Sequence, residues 1–461
     1  MVKKLVGDRF FYKKILTLML PIMIQNGITN FVNMLDNVMI GAVGTAQMTG
    51  VSIANQLFFV FNLCIFGAIS GAGIFGAQFF GKNDHEGVRH TFRFKLIFGS
   101  LITVSFIALM IFFGEPLLKL YMQGEQGVTS AADTLIHSKS YMFIMLIGLL
   151  PYAAVQCYSS TLREGTRPML PMLAGIAAVT VNLVFNYILI FGKFGAPALG
   201  VNGAAIATVF SRFVELGIVT FFVHGNKESY PFMHGVYCSL YVPASLVKGL
   251  FVKSLPLMIS ETLWSSSVAI VNQCYSVRGL DAVAACNISQ TFWNVFAIAY
   301  MSLGIAIGII LGQMLGANKL AEAKQASYKM IAFSCAIATA VAAVFAVCAE
   351  FIPLVYNTEH EIRRLATRLM QITAISMPFD ALTHSCYFTL RSGGKMLMTF
   401  VFDCGFAWFG NVLLAFTLSR FTALPFIWIF AIVHMVSIAK GAAGVHLVKK
   451  GIWVKNIIAK R

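Results

Sequence analysis

Three carboxylates lie in stretches apolar enough to be buried in lipid: Asp36, Glu261 and Asp380. An acid in a bilayer costs at least about 2.5 kcal/mol on insertion scales, so it faces a protein interior or a water-filled cavity. Such a group takes up and releases a proton or a small cation. Asp36 sits in Phe-Val-Asn-Met-Leu-Asp-Asn, with Asn26, Asn30 and Asn33 one turn apart behind it. These asparagines give the helix a polar stripe. Glu261 follows Pro256 by five residues, and Ser260, Ser265, Ser266, Ser267, Asn272 and Gln273 continue its polar surface. Asp380 follows Pro378 by two residues, with Thr383 and His384 on the next turn. Proline frees a backbone carbonyl in a membrane helix and can kink it, so both acids lie beside irregular backbone.

Other polar residues could complete a cation site. Asn182 and Asn186 are one turn apart, and Thr208 lies in the following apolar run after Gly203-Ala204-Ala205. With Asp36 they offer a carboxylate, two amide oxygens and a hydroxyl, a set suited to a small hard cation or to proton exchange at the acid. Two further membrane acids read as structural. Glu215 stands three residues after Arg212, a spacing for a local ion pair, and Asp403 lies near the end of its run. Arg212 is the only basic residue that reads as deep in a span, so a central cavity should be neutral or acidic. Asn33, Phe58, Gln290, Trp293 and Tyr300 are candidates for lining such a cavity, because aromatic surfaces adapt to apolar and cationic ligands. Core packing is the competing reading for each aromatic.

The elements that must position these residues are membrane helices. The chain has 461 residues, 58% hydrophobic and only 11% charged, against about 25% charged in soluble domains. Apolar runs predict twelve spans, at 15–43, 50–80, 94–114, 140–162, 168–192, 202–224, 246–277, 282–315, 326–349, 366–391, 396–418 and 424–447. The net charge of +16 reads as the positive-inside bias of a membrane protein, not as a nucleic-acid surface. With the N-terminus inside, about 25 Lys and Arg fall on the inner side and about 8 outside, which predicts cytoplasmic termini in a plasma-membrane protein. The basic Met1 to Lys14 segment and the long run after it do not form a cleavable signal. The nine cysteines fall almost entirely in apolar runs without a CxxC and read as small core residues. No Walker loop or HExxH occurs, so neither an enzyme nor ATP-driven transport is expected and energy would come from an ion gradient.

The chain repeats itself. A shift of 235 residues lays Leu20-Pro21 on Leu255-Pro256, Ile53 on Ile288, Gly73 on Gly308, Gln78 on Gln313, and Gly81-x-Asn83 on Gly316-x-Asn318. A shift of 228 lays Thr161-Leu162-Arg163-x-Gly165 on Thr389-Leu390-Arg391-x-Gly393. The repeat predicts an all-α polytopic fold of two six-helix bundles, 1–225 and 246–461, joined by an inter-lobe linker at 226–245 and related by a pseudo-two-fold axis along the membrane normal. Two such bundles can rock about a central cleft and expose it to alternate sides.

These residues resemble a bacterial multidrug and toxic compound extrusion (MATE) transporter of the NorM type over essentially the whole chain. The resemblance rests on Leu20-Pro21 through Asp36, on Asn182, Asn186 and Thr208, on Leu255-Pro256 with Glu261, on Pro378 with Asp380, and on the paired Leu-Arg-x-Gly segments. It implies a V-shaped pair of bundles and export of cationic amphipathic compounds in exchange for sodium or protons. It implies an N-lobe cation site at Asp36, Asn182, Asn186 and Thr208 and a C-lobe site at Glu261 and Asp380. Some members of the family carry an aspartate where this chain has Asn186, which leaves sodium and proton coupling both open. The expected partners are small organic cations and membrane lipid, with no cofactor beyond a coupling Na⁺ and with the chain acting as a monomer. Two other functions compete. One is a lipid-linked precursor flippase of the same broad fold, whose cavity would carry arginines. The other is a receptor or scaffold without transport.

Overall fold

In the computed structural model the described residues are 5–122, 131–356 and 358–459. They form helices throughout, with no strand among them. In order these are α1 (Arg9–Gly41), α2 (Thr45–Lys82), α3 (His85–Met122), α4 (Ala131–Ile147), α5 (Leu149–Glu164), α6 (Met169–Phe191) and α7 (Val201–Gly225). There follow α8 (Ala244–Ser276), α9 (Leu280–Gly316), α10 (Leu320–Phe351), α11 (His360–Ser392), α12 (Met396–Gly405), α13 (Leu413–Phe421) and α14 (Phe426–Lys450). A π-helical turn, Phe406–Val412, joins α12 to α13 into one rod. Among the described residues, ten helical rods are long and apolar enough to cross a membrane. The pair α4 and α5, bent by 48°, makes an eleventh. A rod such as α2, at 38 residues, rises about 57 Å and exceeds a hydrocarbon core of about 30 Å, so its ends must leave the lipid or tilt.

Two rods differ from the sequence expectation for physical reasons. The run at 140–162 is not one straight helix. It breaks at Gly148, whose N–H bonds back to Met145, and Pro151, which cannot donate to the preceding turn, lies in the first turn of α5. The run at 366–391 corresponds to α11, which is 33 residues long but is not among the rods apolar enough to span. It packs against α9, α10 and α14, so protein rather than lipid surrounds it. Five of its hydroxyls are satisfied at home: Thr373, Ser376, Thr383, Thr389 and Ser392 each donate to a backbone carbonyl three or four residues back. A helix can carry that many polar groups through a membrane only on these terms.

Packing sorts the described chain into two compact units. One comprises Ile24–Gly76 and Asp84–Met258; the other comprises the chain up to Met23, Ala77–Asn83, and the chain from Ile259 on. The dividing lines fall inside α1, α2 and α8 and in the turn between α2 and α3. The α1 and α8 lines, after Met23 and Met258, are 235 residues apart and each lies two residues beyond a repeated Leu-Pro. The repeat halves and the packing units are thus different partitions of one chain.

In the first unit the hydrophilic segment after α7 is docked, not free. Phe232, Met233 and Val236 are buried. Arg89 bonds the Phe232 carbonyl, and Arg93 bonds the carbonyls of Gly235, Val236 and Tyr241. The second unit is built on α11, with Ala297, Tyr300, Phe345, Met370 and Met377 in its apolar core.

Candidate functional site

The four residues Asp36, Asn182, Asn186 and Thr208 come together in the first unit. The cause lies in the approach of α6 and α7. A β-carbon on Gly203 would lie 2.6 Å from the Leu189 carbonyl, and Ala204, Ala205 and Ala207 are buried alongside. Small residues let two membrane helices approach this closely. Thr208, one turn further along α7, then reaches α6. Asn182 and Asn186, four residues apart, share that face of α6 and are buried.

Asn186 Nδ2 donates to Asp36 Oδ1 at 2.6 Å and to Asn182 Oδ1 at 3.2 Å, and Asn182 Nδ2 donates to Thr208 Oγ1 at 3.2 Å. In this arrangement Asn182 Oδ1 faces both Asp36 oxygens, at 3.2 and 3.3 Å. Turning the Asn182 amide over makes its nitrogen a donor to both carboxylate oxygens and its oxygen an acceptor for Thr208. Asn186 Oδ1 is buried without a hydrogen-bond partner. The cluster therefore has more acceptor oxygens than donors, and Asp36 makes no ion pair among the described residues. A small cation, or a proton on the acid, is the chemistry that balances such a set.

The second unit holds Glu261 and Asp380 with different partners. Tyr387 donates to Glu261 Oε1 at 3.4 Å, and the buried Arg391 stands 4.0 Å from the same oxygen. Asp380 Oδ2 accepts from Ser376 on its own helix at 3.1 Å. Asp403 pairs with Lys440 at 2.5 Å. His384 packs edge-on against Phe388, with ring centroids 4.9 Å apart. The second unit thus presents a carboxylate beside an arginine and a tyrosine, and a separate carboxylate held by a serine.

The remaining candidates divide. Asn33 and Gln290 are exposed and Trp293 is half-buried. Phe58 is buried and packs near Phe106, with centroids 6.3 Å apart, and Tyr300 is buried in the α11 core.

One sequence expectation about charge needs correction. Arg212 and Glu215 do not form an ion pair. The guanidinium instead donates to the Gly148 carbonyl at 3.4 Å and covers the Tyr152 ring at 5.0 Å, so the bend between α4 and α5 draws it away. Arg212 itself is half-buried, and other basic side chains are buried more fully. Arg391 is 4% exposed, and Lys95, 1% exposed, bonds both oxygens of the buried Glu164 at 2.6 and 2.8 Å. Arg391 aligns with Arg163 in the matched Thr-Leu-Arg segments, and its position next to a charged loop hid that it is buried; no such match marked Lys95.

Similarity to known proteins follows the same duplication. A family model described as MatE matches residues 21–188 and again 256–417. The chain belongs to the MatE family. The two MatE matches start at Pro21 and Pro256, the repeated prolines. A probable multidrug resistance protein NorM of Thermotoga maritima is 22% identical over 453 residues, 97% of this chain and 94% of that one. A multidrug resistance protein NorM of Photobacterium profundum is 25% identical over 84% of this chain and 83% of its own length. Among solved structures, the outward-facing conformation of a multidrug resistance MATE family transporter of the MOP superfamily shares the fold, with a TM-score of 0.84 at 17% identity over 98% of each chain. This MatE chain is accordingly an all-α, multi-pass membrane protein.

Proposed function

We propose that the chain is a cation-coupled antiporter that exports cationic amphipathic compounds across the plasma membrane, with both termini cytoplasmic. The relatives are named as multidrug resistance proteins, which supports drug extrusion. The observation that carries the coupling is the Asp36 cluster: one membrane acid, two amides and a hydroxyl, oxygen-rich and without a basic partner. A paired acid keeps a fixed counter-charge, whereas Asp36 can exchange Na⁺ or H⁺ for nothing more than a turn of its amide neighbours. Glu261 and Asp380 form the second coupling region, with Arg391 setting the charge balance at Glu261. Asn33, Gln290 and Trp293 offer the polar and aromatic surface to substrate.

The test is dye efflux from proteoliposomes under separately imposed sodium and proton gradients, with Asp36→Asn and Glu261→Gln beside the wild type. Wild type exports an ethidium-like cation under at least one gradient, and Asp36→Asn loses the response to that gradient by tenfold or more. Undiminished gradient-driven efflux in Asp36→Asn would remove Asp36 from the mechanism.

A further inference from the structure

The best-satisfied buried amide in the second unit lies outside both acidic regions. Gln78, fully buried in the last two turns of α2, uses both ends of its side chain. Its Nε2 donates to the carbonyls of Ser392, at 3.1 Å, and Lys455, at 3.3 Å, and its Oε1 accepts from the Ile457 N–H at 2.9 Å. Two of those three groups belong to the tail after α14. Gly451, with φ of +70°, turns the chain back at the end of α14, and Trp453 and Ile458 are then fully buried. A methyl group on Gly393 would overlap the Trp453 carbonyl. Asn456 closes the other side, donating to the Gly316 carbonyl at 3.3 Å.

The same place is a helix crossing of unusual closeness. A β-carbon on Gly81 would overlap the Gln313 carbonyl, and one on Gly316 would overlap the Gln78 carbonyl. These are repeat-related pairs, so α2 and α9 meet here across the internal symmetry. Only the end of α2 from Ala77 on packs in this unit; the rest of the helix packs in the other.

We propose that Gln78 is a positioning residue that fastens the end of α2 to the C-terminal tail, and that this fastening opens and re-forms in each transport cycle. This rests on the transport reading above. The chemistry suits a reversible latch. Three hydrogen bonds to backbone hold a crossing made of glycines, with no ion pair across it among the described residues.

The experiment is hydrogen–deuterium exchange on full-length protein in proteoliposomes, at rest and during gradient-driven dye export, for wild type, Gln78→Ala and Asn456→Ala. At rest, wild type protects 77–83 and 451–459 together, and Gln78→Ala speeds exchange in both by at least tenfold while α10 is unchanged. Asn456→Ala, which leaves Gln78 in place and loosens the tail from its far side, speeds 77–83 as well. During export by wild type, both segments exchange faster than at rest. Faster exchange of 451–459 alone in Gln78→Ala would show that the tail does not hold α2 and would overturn the proposal. So would unchanged wild-type protection during measured export, since that is the behaviour of a purely structural contact. Absence of export in wild type would defeat the transport reading, while the resting comparison still decides the fastening.

Discussion

Replacing Lys95 with methionine separates a structural acid from an exchanging one. The Lys95 ammonium bonds both Glu164 oxygens, at 2.6 and 2.8 Å, and Thr161 Oγ1 at 3.1 Å. The side chains are 0% and 5% exposed. Gly73 and Gly76 lie against the carboxylate so closely that a β-carbon on either would collide with it, so backbone packs tightly around the acid. Removing one member of such a pair costs about 3–5 kcal/mol, because the other charge stays buried and alone. Lys95→Met should therefore lower the thermal unfolding midpoint in detergent on the order of 5 °C. Glu164→Gln alone should do the same, now stranding the ammonium. The double variant removes both charges, keeps the methionine stem in the lysine's place, and should recover most of the loss. Tryptophan fluorescence on heating reads all four proteins as a double-mutant cycle. The same four, assayed for gradient-driven dye export, test function: the double variant should export within about twofold of wild type, since a permanently paired acid has no part in ion exchange. The reasoning fails if Glu164→Gln keeps full stability yet loses gradient coupling. Glu164 would then be a coupling acid, and sorting acids by the presence of a basic partner would be wrong.

Three further outcomes are expected. Gly203→Val forces α7 away from the Leu189 carbonyl at a cost of about 1–3 kcal/mol, parts Thr208 from Asn182, and lowers gradient-driven efflux at least tenfold in proteoliposomes. Arg278→Ala removes donors to the Leu418 carbonyl at 2.9 Å and the Thr422 carbonyl at 2.5 Å; charged hydrogen bonds are worth about 1.5–3 kcal/mol, so exchange along α13 should quicken while efflux changes little. Arg93→Gln frees three carbonyls of the segment after α7, and limited proteolysis should cut between 226 and 243 several-fold faster than in wild type.

The site was legible where a single helix carried the pattern. Asn182 and Asn186, four apart, must share a face, and Gly203-Ala204-Ala205 announces a close neighbour; the meeting with Asp36, 150 residues from Asn186, does not follow from spacing and came only with the family resemblance. What the sequence hid depends on neighbours distant along the chain. α11 reads as apolar over 366–391 only if its hydroxyls are ignored, and their bonds to its own backbone, together with the helices around it, explain why it need not be. Arg391 sits beside a loop in sequence and looks solvated. In space it is buried beside Glu261, an arrangement that requires α8 and α11 to be placed first. Gln78 gave only a repeat match, since its partners lie 314 to 379 residues away.

The contrast between Gln78 and Asp36 explains how a duplicated scaffold acquires unlike sites. A shift of 235 places Asp36 on Val271 and Glu261 on Asn26, so neither acid has an acidic counterpart. The same shift pairs Gly81 with Gly316, and each packs against the backbone carbonyl of the other's glutamine. A glycine-to-carbonyl contact needs only the absence of a β-carbon and a fixed helix position, so both copies keep it for as long as the crossing is needed. A membrane acid needs a specific set of oxygens and costs free energy wherever that set is missing, so one copy is stable only where its partners are built. Symmetry therefore holds the crossing while the ion chemistry is free to differ between the units. The Asp36 cluster, with two amides and a hydroxyl, and the Glu261 region, with an arginine and a tyrosine, are two such independent outcomes.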